Sequence, residues 1–268
     1  NWRKCKKLEE WKERQKIDFF EIIKDIIYPP MCSICGSPSK EYLCNKCTKK
    51  LENIEMVSRK GFYKELKSIE KVQENDKNIK RIELGKNNRN ENHEKENFYF
   101  DEHIYEFIYD GEIRNLILQY KFNSKPYIYK AFTNFFKKNK NLYLHLKKYD
   151  IIMPIPISNK RLKTRGYNQS SLIAKSLAKN FNMDYEERIL TKYKDNKKQS
   201  TLSKEERLLN AKNVYKLKSG TNLKEKIKNK KILLFDDVFT TGSTCNECSR
   251  ILKENGARQV GIFTIAKD

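Results

Sequence analysis

The chain has 268 residues, 38% of them hydrophobic, and sets 57 Lys and Arg against 35 Asp and Glu for a net charge of +22. That length serves one sizeable core with a smaller module, and the low apolar share leaves part of the chain outside any core. No apolar run reaches the roughly 20 residues of a membrane helix, so the reading excludes stable membrane insertion. The polar start, Asn1-Trp2-Arg3, lacks the apolar core of a secretory leader, and a cytoplasmic location is expected.

In chain order, residues 1–30 form a first unit. Ile17, Phe20, Ile23 and Ile27 share one face of an amphipathic helix that Pro29 and Pro30 stop. Its acid-rich polar face fits packing against the rest of the chain better than anionic lipid. Residues 31–50 carry Cys32, Cys35, Cys44 and Cys47 in the spacing C-x2-C-x8-C-x2-C. Two such knuckles supply four thiolates for tetrahedral Zn²⁺, and Gly36 permits the tight turn. A redox pair needs only one Cys-x-x-Cys, and four sulfur ligands leave no open position, so the zinc is expected to be structural.

Residues 51–100 read as a charged linker or insertion. Between Ser58 and Asn97 the 11 basic and 8 acidic residues are mixed, with few apolar anchors. From 101 to 268 strands alternate with helices. A strand ends near Tyr109, an Asp110-Gly111 turn follows, and a helix then buries Ile113, Leu116, Ile117 and Tyr120. A short strand covers 149–157. A helix over 168–181 turns Leu172, Ala174, Leu177 and Ala178 inward, and a weak strand covers 184–190. Ser203 and Glu206 make a capping box. Strand 231–235, helix 244–255, Gly256 as its stop and strand 259–265 complete the chain. The expected fold class is α/β, a mainly parallel sheet with flanking helices, plus the small N-terminal zinc module. Cys245 and Cys248 fall in the helix after strand 231–235 and read as packing residues; Cys5 has no evident partner.

The stretch Lys231 to Thr244, KILLFDDVFTTGST, carries the chemistry. Ligands of open parallel sheets bind beyond the carboxyl ends of the strands. Thr240, Thr241, Gly242, Ser243 and Thr244 lead into a helix N-terminus, where unpaired N–H groups and small residues can close around a phosphate. Asp236 and Asp237 repel a phosphate but accept hydrogen bonds from vicinal sugar hydroxyls beside it. The pattern describes a ribose 5-phosphate site. Neither Gly-x-x-x-x-Gly-Lys-Ser/Thr nor Gly-x-Gly-x-x-Gly occurs, which disfavours P-loop and dinucleotide folds.

ILLFDDVFTTGST resembles the phosphoribosyl pyrophosphate (PRPP) signature of type I phosphoribosyltransferases. With PIPISNKRLKTRGYNQSSLIAKSLA and QSTLSKEERLLNAKNVY, the chain resembles the ComF family of competence proteins over about residues 19–50 and 103–267. The resemblance implies a phosphoribosyltransferase fold with Mg²⁺ accompanying PRPP. It places the ribose on Asp236 and Asp237, the 5-phosphate on Thr240 to Thr244, and the pyrophosphate on Ser158, Lys160 and Arg161. Lys160, Arg161, Lys163 and Arg165 supply the charge to neutralise a diphosphate. Arg165, Gly166, Tyr167, Asn168 and Gln169 match a family signature whose task the sequence does not reveal. Gln199 and Arg207 match a mobile catalytic loop. Catalytic work would fall to Asp236, Asp237, Arg161 and Arg207, displacing pyrophosphate from C1 of the ribose.

Twelve basic residues and one acid, Asp150, lie between Lys121 and Arg165, interleaved with eight aromatics from Phe122 to Tyr149. Such a stretch binds single-stranded DNA by phosphate contacts and stacking, or it is an amphipathic helix with an aromatic core face. The family resemblance implies uptake of single-stranded DNA, in company with a competence helicase or DNA-processing proteins. A metabolic phosphoribosyltransferase that passes phosphoribose to a base or amine is the alternative reading.

Overall fold

A computed structural model describes residues 29–54, 98–123, 125–194, 214–218 and 221–268, with the backbone of 81–83. The helix expected at 17–28, most of the linker, Cys5, Gln199, the Ser203–Glu206 box and Arg207 lie outside the described residues.

The helices are α1 (45–54), α2 (Gly111–Phe122), α3 (Ile128–Lys138), α4 (Lys140–Leu146), α5 (Asn159–Arg165), α6 (Gln169–Phe181), α7 (Thr221–Ile227) and α8 (Ser243–Glu254). The strands are β1 (Arg81–Glu83), β2 (Glu102–Ile108), β3 (Ile151–Pro154), β4 (Asp184–Tyr185), β5 (Leu190–Lys192), β6 (Tyr215–Leu217), β7 (Lys231–Phe239) and β8 (Gln259–Lys267). The main sheet runs β1-β2-β8-β7-β3-β4. Its ladders are parallel except for the antiparallel β1 edge. β5 and β6 pair apart from it as an antiparallel ribbon.

The strand pleat sorts the core into two layers. Leu233 and Phe235 of β7, Phe263 and Ile265 of β8 and Ile152 of β3 pack with helices α2, α3 and α6. Their alternates Ile232, Leu234, Val260, Ile262, Ile151 and Met153 pack with α7 and α8. A strand covered on both faces reads as a continuous apolar run, as Ile232 to Phe235 does. Cys245 and Cys248 are buried in the second layer, the packing role expected of them.

Several boundaries move. β7 runs to Phe239, because pairing with β8 continues through Asp236↔Thr264, Val238↔Ala266 and Phe239↔Lys267, so the acids lie within the ladder and not after it. The weak strand 184–190 divides into β4, on the main sheet, and β5, on the ribbon. On α6 the buried arc is centred on Ile173, while Leu172 is only half-buried. The aromatics between Lys121 and Arg165 belong mostly to the core of α3 and α4: Phe132, Phe135, Phe136 and Tyr149 are buried.

The four-cysteine module is joined to this core. Cys32, Leu43, Cys47 and Leu51 share one apolar cluster with Phe132 and Phe136. At its edge Lys130 donates to the Tyr42 hydroxyl (2.9 Å), Asn134 to the Glu41 carbonyl (2.8 Å) and Lys138 to the Glu41 carboxylate (2.6 Å).

The chain leaves β3 toward β4 at one edge and leaves β7 toward β8 on the other side. The crevice between the ends of β3 and β7 is therefore the topological switch point of the sheet. At the opposite, amino end of the same sheet, Gly261 of β8 makes room for Tyr149, whose hydroxyl donates to buried Glu102. A Cβ at Gly261 would lie 2.0 Å from that hydroxyl oxygen. Gly261→Ala is expected to lower unfolding free energy by about 2 kcal/mol through overpacking. Equilibrium denaturation checks this, and unchanged stability would contradict the packing.

Candidate functional site

An open cleft of ≈ 210 Å³ lies at the switch point. The ends of β3 and β7 form its floor. The last turn of α2, helix α5, the start of α6, the β5–β6 ribbon and the first turn of α8 form its walls.

Asp236 and Asp237 meet there. Asp236 Oδ1 accepts from the Ser170 hydroxyl (3.2 Å) and from the Asp237 backbone N–H (2.9 Å). Burial, and next the charge of Asp237, push the Asp236 carboxyl up to about 7, against the pull of Lys121 and these two hydrogen bonds. Lys121, at the end of α2, places Nζ 2.8 Å from Asp237 Oδ1. Arg165 stands near both acids, and its burial pulls its guanidinium below the usual arginine range while the acids, Asp237 first, push back.

The turn between β7 and α8 is shaped by one glycine. Gly242 has φ +72°, and a Cβ there would fall 2.4 Å from the ring of Phe239. Only glycine combines that dihedral with that approach. Phe239 is itself held by stacking on the His103 ring at 4.0 Å. His103 is buried, contacts Thr264 Oγ1 at 2.9 Å, and is held neutral, its pKa pulled down to about 3 chiefly by burial. Thr241 Oγ1 and Ser243 Oγ are 3.0 Å apart across the turn. Gly242 offers no side chain to cap α8; the Ser243 N–H makes a long contact to Thr241 Oγ1 (3.5 Å), and the N–H groups of the first turn after it are the donors of this wall.

The stretch Arg165 to Gln169 is a latch. Gly166 ends α5 in the left-handed conformation, φ +78°. Asn168 caps α6 through the Ser170 N–H (3.1 Å) and donates to the Ile155 carbonyl after β3 (3.1 Å). Tyr167 donates to the Tyr120 carbonyl (2.7 Å), and Tyr120 returns a bond to the Gln169 carbonyl (2.8 Å). Gln169 accepts from Arg165 (3.1 Å) and donates to the Lys121 carbonyl (3.4 Å). These bonds tie α2 to α6, and so place Lys121 against Asp237 and Ser170 against Asp236.

Of the residues expected at the site, Asp236, Asp237, Arg161, Arg165, Gln169, Thr240, Gly242, Ser243 and Thr244 line the cleft. Thr241 joins through its contact with Ser243. Ser158 is buried as the N-cap of α5, accepting from the Arg161 N–H at 3.4 Å, and Lys160 and Lys163 lie exposed on α5 away from the lining. Sequence reasoning missed Lys121, Ser170, Lys192 and Tyr215, all of which line the cleft. Lys121 was read as one more cation of the basic stretch, and only the α2–α6 contact gives it a partner. Lys192 and Tyr215 come from the ribbon, whose short alternating segments were its faint signal.

The second centre is the cysteine cluster. The Sγ atoms of Cys32, Cys35, Cys44 and Cys47 lie within 4.8 Å of one another, and Cys35 and Cys44 are 3.7 Å apart. Tetrahedral Zn²⁺ with Zn–S of about 2.3 Å requires S–S distances of about 3.8 Å, so the set fits. Ser37 Oγ, 3.3 Å from Cys35 Sγ, is the first cause of a Cys35 thiol pKa held at about 6, which favours the ligating thiolate.

Comparison with known proteins gives the same two parts. Residues 168–268 match the phosphoribosyl transferase domain, and residues 23–57 match the double zinc ribbon domain. The chain is similar to competence protein F of Haemophilus influenzae, 32% identical over 122 residues, 46% of this chain and 52% of that protein. It is similar to competence protein ComFC of Streptococcus pneumoniae, 29% identical over 161 residues, 60% of this chain and 66% of that protein. It is also similar to the DNA utilization protein YhgH of Escherichia coli, 29% identical over 118 residues, 44% of this chain and 49% of that protein. The matches thus span from about half to just under two thirds of these relatives.

Removing Lys121 leaves Asp237 beside Asp236 without its cation. The loss is felt when both acids are ionised, above the raised pKa of Asp236 at about 7, and fades below it as Asp236 takes up a proton. Lys121→Ala is expected to cost about 2 kcal/mol at about pH 8, discounted for partial exposure, and clearly less at about pH 5. Urea unfolding at the two pH values measures it; an equal cost at both would contradict the ion pair's role.

Proposed function

We propose that this chain, which belongs to the ComF family, binds PRPP with Mg²⁺ in the β3–β7 cleft and handles single-stranded DNA in natural transformation. The observation that carries the reading is the convergence in one cleft of the Asp236–Asp237 pair, the Gly242 turn and the guanidinium groups of Arg161 and Arg165. The 5-phosphate would sit in the turn 240–244, on the first N–H groups of α8 and the hydroxyls of Thr241, Ser243 and Thr244. The ribose hydroxyls would donate to Asp236 and Asp237. The diphosphate would face Arg161 and Arg165. The sequence reading expected the pyrophosphate on Ser158, Lys160 and Arg161; in this proposal Arg165 joins Arg161, Lys121 is added, and Ser158 and Lys160, which do not line the cleft, are left out.

Mg²⁺ takes one or two carboxylates together with substrate phosphates. The cleft offers two, Asp236 and Asp237, and among the described residues no other carboxylate lines it. The donor set therefore fits an ion that arrives with the diphosphate, and when bound that ion would offset the diphosphate's charge. The chain's own residues would bind and orient: Ser170 and Lys121 fix the two carboxylates, and the latch holds both helices that carry them. In transfer of the phosphoribosyl group, a bond from C1 to the acceptor would form as the bond from C1 to pyrophosphate breaks, and the same residues would serve it; release of pyrophosphate with a panel of bases and amines tests for such transfer.

The DNA part rests on the charge of +22 and on the relatives, which are named for competence and DNA utilization. The organisation is read as a helix within 1–30, the zinc module at 31–50, a charged insertion at 51–100 and the phosphoribosyltransferase domain at 101–268. No helix of the described residues is long and apolar enough to cross a membrane.

Calorimetric titration with PRPP and Mg²⁺ tests the site. Hydroxyl donors need Asp236 ionised, and below its raised pKa of about 7 it carries a proton. Affinity is therefore expected to rise from about pH 6 to about pH 8. Asp236→Asn is expected to weaken binding and flatten this dependence, and Asp236→Asn/Asp237→Asn to abolish binding. Equal affinity of wild type and double variant would refute the assignment.

A further inference from the structure

Phe122 closes α2, one residue after Lys121. At 64% exposure it is the most exposed large hydrophobic side chain among the described residues. The other aromatics of α2 and α3 contrast with it: Tyr120, Phe132 and Phe136 are buried in the core. The Phe122 ring has a charged neighbour. The guanidinium of Arg165 lies 5.1 Å from its centroid, a cation–π contact. That contact is built rather than incidental, because Gln169 accepts from Arg165 and donates to the carbonyl of Lys121 beside Phe122. One side chain thus fixes both the cation and the end of the helix that carries the ring. Lys121 and Arg165 both line the cleft, so the ring stands at its rim.

The surroundings decide what covers such a ring. Helix α5 ends at Arg165, the residue over the ring, and has no acid; Lys160, Arg161 and Lys163 are exposed along it. A protein partner with an apolar contact would have to bury or neutralise these cations. A polyanion carrying flat apolar faces satisfies ring and cations together. Single-stranded nucleic acid has that chemistry, since every base has a π-face and every phosphate a charge.

We propose that Phe122, backed by Arg165, is a stacking platform for an unpaired base of single-stranded DNA whose phosphates run along α5. The inference rests on the reading of the chain as a handler of single-stranded DNA, and it names the place of contact. It puts the strand at the mouth of the PRPP cleft, so strand and PRPP would meet at Arg161 and Arg165.

The test uses the full chain and a single-stranded oligonucleotide carrying one 2-aminopurine, whose emission is quenched by stacking. Fluorescence anisotropy gives affinity over a salt series. Phe122→Ala is expected to keep the wild-type melting temperature, to bind about tenfold more weakly, and to lose the quench. Its slope of affinity against salt should not change, because the phosphate contacts remain. Phe122→Trp should restore affinity and quench. Leu144→Ala, which removes another exposed apolar side chain, at 61% exposure on α4, should behave as wild type. A wild type that binds while Phe122→Ala binds equally well, with the same quench, would overturn the platform and leave the DNA reading standing. A wild type that does not bind the oligonucleotide even at low salt would overturn both.

Discussion

Two adjacent carboxylates near the end of a buried strand repel each other and lose hydration, and the groups around the cleft are arranged to hold them. Lys121 faces Asp237, the Ser170 hydroxyl and a backbone N–H face Asp236, and Arg165 stands near both. Even so, burial keeps the Asp236 carboxyl near 7, so the pair is poised to gain partners. The latch from Arg165 to Gln169 follows from this need. It joins α2, α6 and the end of β3 by hydrogen bonds, and Lys121 and Ser170 reach the acids only from helices held that way.

The opposite wall obeys a steric constraint. Gly242 admits the Phe239 ring where a Cβ would stand, Phe239 stacks on His103, and His103 reaches Thr264 in the neighbouring strand. The shape of the turn is thereby anchored in β2 and β8, two strands that bring no residue of the acid pair. A rigid turn suits a ligand recognised by backbone N–H groups, because little order has to be gained on binding.

The layers were legible because their signals are local. Ile232 to Phe235 and Val260 to Ala266 are apolar runs of strand length, and the α2 face of Ile113, Leu116, Ile117 and Tyr120 is a helical repeat. The acid pair and Gly242 were legible as residue types at a strand-to-helix turn. What escaped depends on partners distant in sequence. Pairing with β8 carries β7 past the acids to Phe239, and nothing in the strand itself announces it. Lys121 looks like its basic neighbours until α2 meets β7. Leu172 and Ile173 are adjacent on α6, and only the angle at which the helix lies on the sheet picks Ile173. The aromatics of 121–149 suggested a stacking surface, but most of them fill the layer between sheet and helices. Part of the basic stretch is also spoken for: Lys130 and Lys138 hold the four-cysteine module through Tyr42 and Glu41. The cations of that stretch nearest the cleft lie on α5 and at the cleft rim.

The zinc module is therefore continuous with the layer of helices that positions Lys121, so the zinc centre and the ligand cleft share one scaffold. The cleft is the centre of the functional reading, and a crystal structure with PRPP and Mg²⁺ tests it most directly. The expected result is ribose hydroxyls on Asp236 and Asp237, the 5-phosphate on the backbone of residues 241–244, and the diphosphate toward Arg161 and Arg165. A ligand bound outside this cleft, or in it with the diphosphate in the Gly242 turn, would contradict the assignment.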